Sequence, residues 1–372
     1  MSRKPSTRKT KLDPFGTTLI EDYEQLFSEF GIQPFKPLLP QVPNPHSAMR
    51  RGVIFGHRDF ERVLKAMEER EEFAVMSGIK PTGEFHLGTL MTAREVIYFQ
   101  QQGATAFYGI ADVEAYEDNN ISLEEGEKIA VGNVADLLAL GFDPKRGYIY
   151  RQSQEERVKD LAIAFARGVT LATMKAIYGE RHMGLYLSAL IQAGDILLPQ
   201  LEEFGGPKPT VVPVGVDQDP HLRLTRDIAF KFRRKYKFVL PSSTYHKIIK
   251  GLDGSPKMSK RDPMSYFTLE EEPEVIAEKI SNAFTGGRPT AEEQRRLGAN
   301  PDICPIYEFY LFHFFDKDED VIRLYSEECR GGKILCGECK NRLIRIVTDF
   351  VKDHQRKRRK YIDKAREILE IE

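Results

Sequence analysis

The chain predicts an α/β fold, a Rossmann-like parallel sheet over residues 71–268, followed by a helical domain over 269–372. Three observations predict it. Short apolar runs alternate with helical stretches between residues 73 and 214, the pattern of a parallel sheet wound on both faces. A glycine-rich turn separates the first run from the first helix. Strand signals fade after Pro263, where helical stretches take over.

The elements follow in order. Residues 73–76 are an apolar strand, and a helix follows over 87–101, with Leu90, Ala93 and Ile97 spaced by three and four. Residues 106–111 form a second apolar strand. Ser122 and Glu125 make a capping-box pattern that opens a helix ending near Gly141. Residues 148–150 and 210–214 are further strands, the latter despite Pro213, which cannot donate to a ladder. Beyond the boundary, 273–284 and 340–371 read as helices. Residues 1–70 read as an N-terminal extension, basic and flexible over 1–11 and irregular over the proline-rich 34–45. No internal repeat is present.

Composition narrows the class. Of 372 residues, 41% are apolar and 30% charged, as in an ordinary soluble globular protein. No apolar run reaches membrane-spanning length, and the N-terminus lacks the apolar stretch of a secretory signal. The net charge of −1 excludes a polycation, although residues 354–360 are a dense basic cluster able to meet phosphates from one helix face. All four cysteines fall between 304 and 339, which suits a metal site in a reducing compartment better than a disulfide scaffold, and places the protein in the cytoplasm.

Two short strings carry the chemistry. His86-Leu87-Gly88-Thr89 follows the approach Gly78-Ile79-Lys80-Pro81-Thr82-Gly83, and Lys257-Met258-Ser259-Lys260-Arg261 lies about 170 residues later. The first opens a helix after a strand, where backbone N–H groups and the helix dipole face an anion. His86 sits at that helix start, suited to donate to a phosphate oxygen, and Gly88 leaves room for a nucleotide. The second follows Gly254-Ser255-Pro256, a loop-forming string. A loop carrying Lys257 and Lys260 suits closure over a leaving pyrophosphate and neutralises charge that builds in the transition state, with Mg²⁺ sharing that load. The pair, in this order around an αβ pattern, points to nucleotidyl transfer from ATP without a covalent enzyme intermediate.

These strings, together with residues 50–59, 215–220, 225–227, 284–288 and 335–340, resemble the archaeal/eukaryotic type of tryptophanyl-tRNA synthetase, a class I aminoacyl-tRNA synthetase family, over nearly the whole chain. The resemblance implies catalytic roles for His86, Lys257, Ser259 and Lys260. It puts ATP binding on Gly88, Thr89, Gly215, Asp217, Gln218 and Met258, with Asp217 suited to a ribose hydroxyl. One position departs from the family signature, which ends in a second histidine where this chain has Thr89. The resemblance also implies L-tryptophan and tRNA(Trp) as partners, a homodimer, and a helical anticodon-binding domain over 269–372, in which the basic run would contact tRNA phosphates.

The choice of amino acid rests on fewer residues. Gln192 and Asp195 lie three apart in an apolar helical segment and face the same way. A buried Asp195 suits an indole N–H or a tyrosine hydroxyl equally. Met76 offers an adaptable apolar contact where tyrosine enzymes of this fold carry a tyrosine. In the eukaryotic tryptophan pattern a tyrosine and a glutamine, at positions matching Met76 and Gly109, read the indole nitrogen. Asp195-Ile196-Leu197-Leu198 instead resembles bacterial tryptophan enzymes, whose aspartate does so. Glu114 matches the family contact to the substrate ammonium, with Gln192 a second polar contact. A tyrosine–tRNA ligase, or a non-aminoacylating relative that binds RNA, are the other readings.

Cys304, Cys329, Cys336 and Cys339 are separated by 24, six and two residues. Four thiolates suffice for zinc or a [4Fe–4S] cluster, and ligand identity alone does not separate them. Some members of the resembled family carry an iron–sulfur cluster in the anticodon domain with nearly this spacing.

Overall fold

The computed structural model describes residues 23–258 and 262–371. Seven strands form one sheet: β1 Gln33–Pro34, β2 Ile54–Arg58, β3 Ala74–Ile79, β4 Thr105–Ile110, β5 Gly147–Arg151, β6 Thr210–Gly215 and β7 Ser242–His246. Their order is β1-β2-β7-β6-β3-β4-β5. The five strands from β7 to β5 are parallel, while β2 pairs antiparallel with β7 and β1 with β2. Residues 33–34 and 54–58 of the N-terminal segment therefore extend the sheet, and Phe35, Val42 and Met49 join its core.

The chain runs from β3 outward to β4 and β5, then returns to β6 and β7 on the other side of β3. That reversal is a topological switch point, where ligands bind beyond the carboxyl ends of the strands. Pairing between β3 and β6 ends at Val75 with Val211. Pro213, two residues further, has no N–H to offer. The two strands part there, and a cavity opens between them.

The helices that position the site agree with the sequence pattern. Leu87–Gln101 follows β3, and Leu123–Ala139 starts at Ser122, whose Oγ accepts from the Glu125 N–H at 3.1 Å. Met183–Leu197 is apolar almost all round and buried, and packs on the helix Glu156–Ala166. The C-terminal stretch is two helices, Cys336–Arg358 and Ile362–Leu369, broken at residues 359–361.

The long C-terminal helix is fastened to the sheet-bearing part by charge. Buried His354 bonds through Nε2 to Asp136 at 2.8 Å, and Arg358 reaches Asp136 at 3.0 Å and Glu270 at 2.5 Å. Gln355 donates to the carbonyls of Leu269 and Glu271, both at 3.0 Å. The basic cluster is consequently divided. His354 and Arg358 face inward, whereas Arg356, Lys357, Arg359 and Lys360 are exposed, the first two paired with Asp353.

Candidate active site

A cavity of about 440 Å³ lies at the carboxyl ends of β3 and β6. Its walls bring together His86, Gly88, Thr89, Lys257 and Met258 with Gly215, Asp217 and Gln218. Met76, Glu114, Gln192 and Asp195 line the same cavity. Ser259 and Lys260 lie outside the described residues.

His86 is the N-cap of Leu87–Gln101, with extended backbone. Its Nδ1 accepts from the N–H of Gly88 at 3.1 Å and of Thr89 at 3.4 Å. A ring whose Nδ1 accepts carries its proton on Nε2, so Nε2 is the donor. The first-turn amides of Gly88 and Thr89 are therefore directed at the imidazole. A Cβ at position 88 would lie 3.0 Å from His86 Cε1. Glycine at 88 thus leaves room for the histidine ring that caps the helix, a closer constraint than room for a nucleotide.

On the opposite wall, Lys257 Nζ lies 2.9 Å from Asp217 Oδ2. Asp217 sits in the turn after β6, and the Lys257 segment is held by the Met258 N–H bonded to the Ile249 carbonyl at 3.1 Å. The lysine loop and the strand end are so joined across one end of the cavity.

The other end, at Asp195 and Glu114, is buried and acidic. Asp195 accepts from the Tyr150 hydroxyl at 2.8 Å and from Gln152 Nε2 at 2.5 Å. Burial pushes its carboxyl well above the usual range, the bonds from Gln152 and Tyr150 oppose this, and Glu114 adds to the rise. Glu114 is also raised, by burial first, against the pull of Lys80. Lys80 is paired with Asp118 at 2.5 Å. Gly109 has a structural reason: a Cβ there would lie 3.2 Å from the Tyr150 hydroxyl and 3.5 Å from Met76 Cε. Tyr150, from the neighbouring strand, occupies the space a side chain at 109 would need.

Tyr150 and Gln152 escaped the sequence reading. The signal was there, since residues two apart at a strand end point the same way. His246 was also missed. It lines the cavity from β7, and its Nδ1 is 2.7 Å from the buried Glu95.

The four cysteines are free and line one small apolar cavity with Gln294, Ile306 and Leu324. Burial raises the Cys304 thiol, against the backbone N–H groups of Gly286, Tyr307 and Ile306 that bond to it. Burial pushes Cys329 and Cys339 up to about 12. A Cβ at Gly287 would lie 2.8 Å from Cys336 Sγ. Among the described residues no group of His, Cys, Asp or Glu closes to metal-binding geometry. The donor type nevertheless suits a thiophilic metal, since the four thiols line one largely apolar cavity.

A parallel sheet that opens at its switch point, with a histidine-capped helix on one wall and a lysine loop on the other, defines a nucleotide-dependent α/β enzyme. Residues 67–352 match the family of class I tRNA synthetases (W and Y). The chain is 44% identical over 367 residues to a tryptophan–tRNA ligase of Hyperthermus butylicus, covering 97% of this chain and 98% of the relative. The tryptophanyl-tRNA synthetase structure from Aeropyrum pernix superposes with a TM-score of 0.90 at 44% identity, covering 96% of this chain and 99% of that one. The Plasmodium falciparum tryptophanyl-tRNA synthetase gives 0.81 at 27% identity, with 93% and 94% covered. The chain belongs to the class I tRNA synthetases of the W and Y family, and is an aminoacyl-tRNA synthetase.

Proposed function

We propose that this enzyme is a tryptophan–tRNA ligase. It activates L-tryptophan with ATP to tryptophanyl-adenylate and pyrophosphate, then transfers the amino acid to tRNA(Trp). The observation that carries this reading is the shared cavity, in which His86 and Lys257 line one end and a fully buried Asp195 the other. The full-length similarity to tryptophan–tRNA ligases supports the choice of amino acid.

The tryptophan carboxylate attacks the α-phosphate and pyrophosphate leaves. His86 Nε2 donates to a phosphate oxygen. Lys257, with Lys260 and Ser259 of the same loop, neutralises the leaving group. Gly88 and Thr89 border the phosphates, Gly215, Asp217 and Gln218 the ribose, and Met258 the base. Mg²⁺ bound with ATP would supply further neutralisation of the phosphate charge, and no residue of this chain is assigned to hold it. Met76 packs on the indole, Asp195 accepts from its N–H, and Glu114 and Gln192 meet the ammonium.

Residues 71–268 are the catalytic domain and 269–372 the anticodon-binding domain, with 1–70 an N-terminal extension. Cys304, Cys329, Cys336 and Cys339 would hold a [4Fe–4S] cluster or Zn²⁺, which would brace the tRNA-reading surface and take no part in activation. The enzyme works as a homodimer in the cytoplasm. Four large apolar side chains support a second copy: Ile163, Leu171, Met183 and Leu187, on successive helices, are 70%, 51%, 69% and 47% exposed. Among the described residues no single helix is long and apolar enough to cross a membrane.

ATP–pyrophosphate exchange with tryptophan and with tyrosine, each alone, tests the reading. Exchange with tryptophan only is expected. Exchange with tyrosine only would make it a tyrosine–tRNA ligase, and silence with both in folded, ATP-binding protein would make it a non-aminoacylating RNA-binding relative.

A further inference from the structure

The polar atoms at the amino-acid end are not all partnered. Gln152, directly after β5, is 1% exposed. Its Nε2 donates to Asp195 Oδ2 at 2.5 Å and lies 3.5 Å from Glu114 Oε1. With the amide nitrogen engaged between two carboxyl groups, Oε1 is left buried and without a partner. Gln192 Oε1 is in the same condition, and both residues line the cavity. Among the described residues, these are the buried unpartnered oxygens that belong to residues lining it. A buried carbonyl bears its desolvation cost until a donor arrives. An ammonium group brings three N–H donors. Glu114 and Gln192 supply two acceptors, so one donor is left over and one carbonyl in the pocket lacks a partner.

We propose that Gln152 joins the two ends of the amino-acid pocket: its Oε1 is the third acceptor for the substrate ammonium, and its Nε2 positions Asp195 for the ring nitrogen. The proposal rests on the tryptophan reading above. It makes Gln152 a contact residue at one end and a positioning residue at the other. Tyr150 assists at the second end only, through its bond to Asp195 Oδ1.

Binding calorimetry on the full chain tests it with three probes. These are L-tryptophan, its benzothienyl analogue with sulfur in place of the ring N–H, and indole-3-propionate, which lacks the amino group. The wild type prefers tryptophan over both. In Gln152→Met each preference falls by about tenfold or more, because the groups it rewarded have lost their partners, while ATP affinity is retained and reports an intact fold. In Gln152→Glu, of equal length and retaining an acceptor, the preference over indole-3-propionate holds and only the preference over the sulfur analogue falls. Either preference unchanged in Gln152→Met overturns the proposal. Should that variant not fold, loss of the preference over indole-3-propionate in Gln152→Glu overturns it instead. A wild type with no preference for tryptophan overturns the tryptophan reading itself, a result visible before any variant is made.

Discussion

Lys257 Nζ lies 2.9 Å from Asp217 Oδ2, so a loop lysine and a strand-end carboxylate bridge one end of the cavity. The pair keeps Lys257 at the site, although the side chain is 34% exposed. Under the proposed function ATP competes for both partners, its phosphates for the lysine and a ribose hydroxyl for the aspartate.

Lys257→Ala is therefore expected to lower the turnover number of pyrophosphate exchange by about 100-fold or more, the usual loss for a donor aimed at transition-state charge. The KM for tryptophan should stay near wild type. Steady-state exchange kinetics separate the two, and an unchanged turnover number would remove Lys257 from the chemistry.

His86 serves as helix cap and as donor, and the two roles separate by substitution. His86→Ala should lose about 1 kcal/mol of stability, the common cost of a lost N-cap, together with activity. His86→Asn restores an N-cap acceptor but not the Nε2 donor. Its melting temperature should return toward wild type while exchange activity stays low. Recovery of both in the asparagine variant would leave the imidazole no catalytic part.

Glu270 couples the catalytic part to the C-terminal helix in a pH-dependent way. Burial and the nearby Asp136 push its carboxyl up to about 7, outweighing the attraction of Arg358. An unfolded glutamate titrates near about 4.3. The folded state therefore holds the extra proton between those values, so this contribution to stability is full below the unfolded pKa and is lost as pH rises through about 7. Glu270→Gln removes the titration. Denaturant unfolding from pH 4 to pH 8 should show the variant gaining on wild type as pH rises; parallel curves would refute the coupling.

The cysteine cavity predicts bound metal in protein purified without air. Elemental analysis should find iron with a visible chromophore, or zinc without one. Cys336→Ser should lower both metal content and melting temperature while pyrophosphate exchange, which uses the other cavity, continues. Protein that lacks metal and melts unchanged on addition of a chelator would leave four reduced structural thiols.

Much of the fold was legible where side chains repeat with the period of their element. The helix over 87–101 has the predicted bounds, and four of the parallel strands lie where the apolar runs are. β7 was not legible. Its Ser242, Ser243, Thr244 and His246 make no apolar run, yet all are buried. Hydrogen bonds to the Asp59 carbonyl and to Glu95 offset the burial of Ser242, Thr244 and His246, and those partners lie far away in sequence. The basic run at 354–360 was legible as charge, but composition did not say that His354 and Arg358 face inward while Arg356, Lys357, Arg359 and Lys360 stay exposed.

The sequence by itself determined four of the parallel strands and the helix that follows the first of them. Each depends on a local pattern, a spacing or a turn. Only the tertiary structure decided that Tyr150 and Gln152 hold Asp195, that Lys257 pairs with Asp217, and that four scattered cysteines share one cavity. Those relationships join strands and loops remote in sequence. Burial gives them their force, by removing the water that would otherwise satisfy each polar group separately.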